Sequence, residues 1–268
     1  MPFPKVTKKD IVDKLEKLKV RRGDDIYVAS FTPILGREPN ILEHTIDALI
    51  EIVGASGTVV MPTFNWDYCR GEIFNPETTP SQVGVLTEIF RKRPGVLRSL
   101  TPPWCTFAAI GKYAKDIVNV RGTSPFGIDS IAQFLYEINV KYVLLGCPYK
   151  DAVIHTHWLE EKYEVPYRYW KQFKGKVMTN GKTITDVSYM YARNLEINAD
   201  IDPGHLTELF DRTDKVKIER LGLGKVRSFR AKDYCDFMIP YFEKDKLAIL
   251  KPEIKKYFDE YGKYKFAE

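Results

Sequence analysis

Apolar and polar positions along this chain switch repeatedly between helical and strand spacing. In "TKKDIVDKLEKLKV", Ile11, Leu15 and Leu18 recur at helical intervals and predict an amphipathic helix, with Thr7 and Asp10 available as caps. The chain then turns at Gly23 into a short apolar run, Ile26 to Ala29, that reads as a strand. A Pro/Gly loop, "TPILGREPN", leads into a second helix, "ILEHTIDALIEIV". "GTVVMPTF" is a continuous apolar run bounded by Gly57 and Pro62, the form of a buried strand, and "KYVLLGCP" repeats it between Lys141 and Pro148. Strands alternating with helices predict an α/β fold, a sheet with helices packed on it.

From about Pro166 the texture changes. "YRYWKQFKGKVMTNGKTITDVSYMYARNLE" is rich in Tyr, Phe, Val and Thr and carries a hairpin-like Asn180-Gly181, which predicts a small antiparallel section. Helical periodicity returns in "AKDYCDFMIPYFEKD" and "KPEIKKYFDEYGKY". No repeat, low-complexity tract or linker interrupts the chain. The expectation is one domain over residues 1–268 with a β-rich subregion at 166–230, two domains divided near residue 165 being the alternative.

Composition narrows the class without deciding it. A hydrophobic share of 44% and a charged share of 29% describe a globular chain with enough apolar surface for a core. No stretch approaches the roughly 18–20 apolar residues of a membrane span, and the N-terminus does not read as a signal peptide. The four cysteines, Cys69, Cys105, Cys147 and Cys235, are scattered without a CxxC pair, which points to a reducing, cytoplasmic setting. The net charge of +5 is dispersed, so nucleic acid is not an expected partner, whereas an anionic small molecule is compatible with it. A homo-oligomer is left open.

The densest chemistry lies in "DAVIHTHWLE", Asp151 to Glu160, which holds two of the chain's four histidines. If the segment is extended, His155 and His157 share a face and could grip a metal with Cys147 or Asp151. If a helix begins here, capped by Asp151 or Thr156, His157 and Glu160 sit side by side at i, i+3. A carboxylate on one ring nitrogen then fixes the tautomer and leaves the other as a base. A surface pair at a helix start has the same spacing. "RLGLGKVR" lacks phosphate-loop spacing, follows no clear strand and reads as a turn, Cys147 as a buried thiol, and the aromatic–basic stretches as a half-buried ribbon.

Several stretches, taken in order, resemble the aminoglycoside 3-N-acetyltransferase family. They are "GDDIYVAS" with Gly36, "GTVVMPTF", "PSQVGVLTEIFR", "RSLTPPWCTFAAIGK", "SPFGIDS" and "YVLLGCPYKDAVIHTHWLE". The last matches the family's Asp-x-x-Thr-x-x-His-x-x-Glu, and together the pieces run over roughly residues 10 to 195. "VPYRYWKQFKG" is similar to the branch found with surface-polysaccharide genes. The resemblance implies an α/β fold with a central mixed sheet flanked by helices and a smaller β-rich subregion, not of the GCN5 type. It implies acetyl-CoA as co-substrate, no metal, His157 as catalytic base, and Asp151 and Glu160 as its flanking acids. Ser30 falls on a loop serine at the CoA side, and Thr63 on the threonine after Met-Pro; both are expected on the cofactor side, with backbone amides around Ser30 and the Thr63 hydroxyl as oxyanion donors.

The pattern breaks at four places: Ala29 replaces the loop histidine, Phe31 the next polar residue, Ile154 the threonine before the catalytic histidine, and "TPPWCT" a His-Pro-x-His-Ser stretch. An aminoglycoside is a polycation, and this chain is net basic. The expected acceptor is therefore the amine of an amino sugar, carried on a nucleotide or another anionic group and used in surface-polysaccharide synthesis. An aminoglycoside acetyltransferase, a non-catalytic sugar- or partner-binding relative, and a metal hydrolase built on His155 and His157 are the alternatives.

Overall fold

The computed structural model describes residues 5–261. Thr7 opens the first helix, α1 (Lys8–Lys17), through a capping box: its hydroxyl accepts from the Asp10 amide while the Asp10 carboxylate accepts from the Thr7 amide at 2.8 Å. There follow β1 (Asp25–Ser30), α2 (Ile41–Val53), β2 (Thr58–Pro62), α3 (Val85–Phe90), β3 (Leu97–Arg98) and β4 (Phe107–Gly111). Next come α4 (Ala114–Asn119), α5 (Ile131–Glu137), β5 (Lys141–Leu145), α6 (Tyr149–Ala152) and α7 (Ile154–Lys162). The remainder is β6 (Arg168–Thr179), β7 (Lys182–Arg193), α8 (Gly204–Asp211), β8 (Lys217–Leu221), β9 (Gly224–Arg230), α9 (Ala231–Lys244) and α10 (Pro252–Tyr261).

The main sheet has the order β3-β4-β2-β1-β5-β9-β8. Its centre is parallel, β1 pairing with β2 on one side and β5 on the other, and its flanks are antiparallel. Strands covered on both faces need apolar residues at every position, which is why Ile26–Ala29, Val59–Met61 and Tyr142–Leu145 are unbroken apolar runs. Odd and even positions go to different layers. Ile26, Val28, Val59, Met61, Val143 and Leu145 pack under Ile11 and Leu15 of α1 and Leu49 of α2. Tyr27, Ala29, Val60, Tyr142 and Leu144 face the other way, toward Leu135 of α5, Leu159 of α7 and Met238 of α9. The mixed α/β sheet flanked by helices is thus the architecture the sequence implied.

The ribbon β6–β7 forms a separate two-stranded sheet, in register from Arg168 opposite Arg193 to Thr179 opposite Lys182. Asn180 and Gly181 turn it with φ of 49° and 72°, the left-handed pair such a tight turn requires. Two local expectations are corrected. "TPILG" is a 3-10 turn over Thr32–Leu35 rather than open loop. "RLGLGKVR" does follow a strand, β8, whose mixed "KIERL" sequence hides it because an edge strand has one wet side. Gly222 turns this hairpin at φ 55°, where a Cβ would run into the Ile34 carbonyl oxygen. Of the predicted closing helix, Gly262 to Tyr264 lie outside the described residues. Among the described residues no helix is long and apolar enough to cross a membrane.

Candidate active site

Parallel strands β1, β2 and β5 end together, and ligands in such sheets bind beyond the carboxyl ends of their strands. Here those ends border a cleft of about 320 Å³. Ala29 and Ser30 contribute from β1, Pro62 from β2, Cys147 from the turn after β5, and Asp151 to Ile154 with His157 from the α6–α7 segment. The aromatic part of the lining is Tyr27, Phe64 and Trp66. Trp66 is backed by the buried Trp104, the two rings stacking at 5.4 Å with 24° between their planes.

Helix α7 begins at Ile154, so His157 and Glu160 lie one turn apart on the same side. His157 Nδ1 stands 2.6 Å from Glu160 Oε2; the imidazole side chain is 32% exposed and the carboxylate 0%. An ionised carboxylate only accepts, so the proton belongs on Nδ1 and Nε2 is left with its lone pair. The same Oε2 accepts from an Arg168 guanidinium nitrogen at 2.8 Å, and that nitrogen lies 3.2 Å from His157 Nδ1. Burial alone would push the Glu160 carboxyl up. The Arg168 charge, followed by the His157 contact, more than offsets this and holds it below the usual glutamate range.

Neither Asp151 nor Thr156 caps the helix. Asp151 lies within α6, Val153 occupies the cap position without a side-chain bond, and the Thr156 hydroxyl pairs with that of Tyr234 at 2.8 Å.

His155 points to the opposite side of α7 and is fully buried. Its Nδ1 meets the Tyr142 hydroxyl at 2.6 Å and its Nε2 the Ala132 carbonyl at 3.0 Å, so both nitrogens are committed. Burial holds its pKa down to about 4, keeping the ring neutral. The two-histidine metal clamp is therefore not formed, and among the described residues no group of three or more His, Cys, Asp or Glu is arranged to hold a metal ion. His155→Phe strands the Tyr142 hydroxyl and the Ala132 carbonyl. It is expected to cost on the order of 2–4 kcal/mol in a urea denaturation curve while the kcat of the folded fraction stays within a few-fold.

With this geometry in place, comparison with known proteins is decisive. Residues 28–243 match the family model described as aminoglycoside 3-N-acetyltransferase. The chain belongs to this family. Aminoglycoside 3-N-acetyltransferases are acetyl-CoA-dependent N-acetyltransferases, and the enzyme class follows with the membership.

Among its relatives, the SPbeta prophage-derived aminoglycoside N(3')-acetyltransferase-like protein YokD of Bacillus subtilis is 26% identical over 264 residues, covering 90% of this chain and 93% of that protein. Aminoglycoside N(3)-acetyltransferase IV of Salmonella sp is 32% identical over 164 residues, 60% of either chain. The crystal structure of YokD superposes with a TM-score of 0.76 over 91% of this chain and 96% of that one, at 24% identity. A binary complex of AAC-IIIb with CoASH gives 0.76 over 90% and 97%, at 21% identity, which speaks to the fold.

The other positions picked out by resemblance to the aminoglycoside 3-N-acetyltransferases fare unequally. Ser30 lines the cleft at the end of β1, and Asp151 lines it from α6, exposed and without a hydrogen bond to His157. Thr63 is not among the cleft-lining residues. It is fully buried, its hydroxyl 3.0 Å from that of Thr106 and accepting from Arg98 Nε at 3.1 Å. Cys147 is half-buried rather than buried and does reach the cleft. Burial, then the Asp151 charge, pushes its thiol up to about 12, so it is a neutral wall rather than a nucleophile. Ala29 and Ile154 both line the cleft, so the family-pattern breaks there make the wall around His157 more apolar. Phe31 is 55% exposed.

Arg168, Trp66 and Trp104 were not anticipated. Arg168 is separated from His157 by the end of α7 and enters from β6, so no local spacing announces it.

Proposed function

We propose that this acetyl-CoA-dependent N-acetyltransferase acts on the amine of an amino sugar carried on a nucleotide, in the service of surface-polysaccharide synthesis, with His157 as general base. The observation that carries the base assignment is the His157–Glu160 pair at the cleft, which commits Nδ1 and leaves Nε2 without a partner. An ammonium group is not a nucleophile. As the acceptor nitrogen bonds to the thioester carbonyl carbon, Nε2 takes one of its protons. The tetrahedral intermediate collapses, the C–S bond breaks, and the CoA thiolate leaves, taking up the proton held on Nε2. Its oxyanion requires hydrogen-bond donors, and Ser30 at the end of β1, on the cleft, is the assigned source, since the following Phe31 amide already donates to the Leu145 carbonyl at 2.8 Å. Asp151 is assigned to the acceptor amine, which it attracts as the exposed carboxylate among the cleft-lining residues.

The acceptor assignment rests on the charge and surface of the cleft. It offers one carboxylate, Asp151, beside the Lys150 ammonium, and the rest of its lining, besides His157, carries no ionic side chain and includes the rings of Tyr27, Phe64 and Trp66. Polycations call for several carboxylates, whereas aromatic faces suit the C–H faces of sugars or a nucleobase. The names of the relatives favour a second reading, aminoglycoside acetylation. Thermal shift and thiol release separate the two. CoA is expected to raise the melting temperature, and a nucleotide-linked amino sugar is expected to turn over at least tenfold faster by kcat/KM than gentamicin or apramycin. The reverse order would establish the aminoglycoside reading.

A further inference from the structure

Two hydrogen-bond donors, the His157 Nδ1–H and an Arg168 guanidinium N–H, converge on a single oxygen of Glu160, at 2.6 Å and 2.8 Å. The donors themselves stand only 3.2 Å apart and cannot bond each other while Nδ1 is protonated. Such crowding is tolerated because the shared acceptor is a full anion. The other oxygen, Oε1, is buried and makes no close hydrogen bond among the described residues, the Tyr167 phenol being its polar neighbour, so both donors act through Oε2. Arg168 is itself held: its side chain is 12% exposed, and a second guanidinium nitrogen donates to the Tyr191 carbonyl on β7 at 3.0 Å. The ribbon therefore delivers a fixed cation to the His157–Glu160 pair.

We propose that Arg168 is a positioning residue for the His157 base: by pinning Glu160 Oε2 as an ionised acceptor, it commits the imidazole proton to Nδ1 and leaves Nε2 bare toward the cleft. The inference rests on the reading of His157 as base. The other charged and titratable groups nearby do not duplicate this part. Lys150, Asp151 and Cys147 border the cleft, Lys150 being paired with Asp200 at 3.1 Å. Glu161 is turned to Ser124, whose hydroxyl donates to it at 2.7 Å. Glu164 follows α7, and Tyr167, Tyr191 and Tyr234 present phenols that burial keeps protonated. Arg168 and His157 are the groups that draw the Glu160 carboxyl down. Without the guanidinium, burial would govern Glu160, and a neutral carboxyl can donate a proton to Nδ1 instead of accepting one.

The test follows the imidazole directly. Protein carrying 15N-histidine is compared as wild type, Arg168→Gln and Arg168→Lys by long-range 1H–15N correlation, with the His157 signals assigned by their loss in His157→Gln. Wild type and Arg168→Lys are expected to hold one tautomer, protonated on Nδ1. Arg168→Gln is expected to show a mixture with at least a several-fold gain of the Nε2–H form, and the acidic limb of its kcat/KM profile moves to higher pH. An Arg168→Gln protein that keeps a single Nδ1–H tautomer and an unmoved pH profile, with only a lower melting temperature, would make Arg168 structural and overturn the proposal. If the glutamine variant does not fold, Arg168→Met, which keeps the aliphatic stem, is read by the same criteria: a single Nδ1–H tautomer with an unmoved pH profile there overturns the proposal. A wild-type protein with the proton on Nε2 removes the base reading itself, a separate failure.

Discussion

Replacing His157 by alanine is expected to lower kcat for acetyl transfer by a factor of about 10³–10⁴, the upper range for loss of a positioned general base. The variant should fold normally. The imidazole is 32% exposed at the cleft, so its removal opens no core cavity, and Glu160 keeps its bond to Arg168. KM for acetyl-CoA should change little, because a base acts in the transition state more than in the ground state. His155→Phe supplies the contrast from one helical face to the other: stability falls and chemistry survives. Thiol release from acetyl-CoA, measured for both proteins under acceptor saturation, distinguishes the two. Equal losses of kcat would show that the structural separation of the two histidines does not carry through to function.

The second large effect is on stability. Glu160→Ala leaves the Arg168 guanidinium 12% exposed with no carboxylate partner, and breaking a buried pair from one side costs about 3–5 kcal/mol. Glu160→Gln keeps the shape and an acceptor oxygen but removes the charge, so it is expected to fall between alanine and wild type on a denaturant curve. Both lose activity, alanine more, since Nδ1 no longer has an anion to hold its proton. The pH dependence has a definite sign. The folded-state pKa of Glu160 is depressed, so its ionisation stabilises the fold above the ordinary glutamate range, and that contribution is lost as pH falls through the folded value. Wild type should therefore lose stability on acidification more steeply than Glu160→Gln. Parallel curves for the two would mean that the buried carboxylate is not ionised.

What could be read from the sequence follows physical range. The strands around Val28, Val60 and Val143 are legible because burial on both faces forces unbroken apolar runs. The two-residue β3 and the mixed β8 are not legible, because edge strands answer to solvent on one side. His157 with Glu160 is visible because a helix turn joins them locally. That His155 is a core residue is invisible beforehand, since its partners Tyr142 and Ala132 come from β5 and α5. Arg168 and the Trp66–Trp104 stack are likewise products of tertiary assembly. Thr63 illustrates the limit of resemblance: the motif position is matched, yet Arg98 and Thr106 have claimed its hydroxyl.

The central claim is that a single imidazole in this cleft deprotonates an acceptor amine for acetyl transfer from acetyl-CoA. Its most direct test is thiol release from acetyl-CoA in the presence of a nucleotide-linked amino sugar, with wild type and His157→Gln run side by side. The account predicts acceptor-dependent release by wild type and a loss of at least 10³-fold in the variant, with CoA still bound by both. Acceptor-dependent release that survives unchanged in His157→Gln would contradict it.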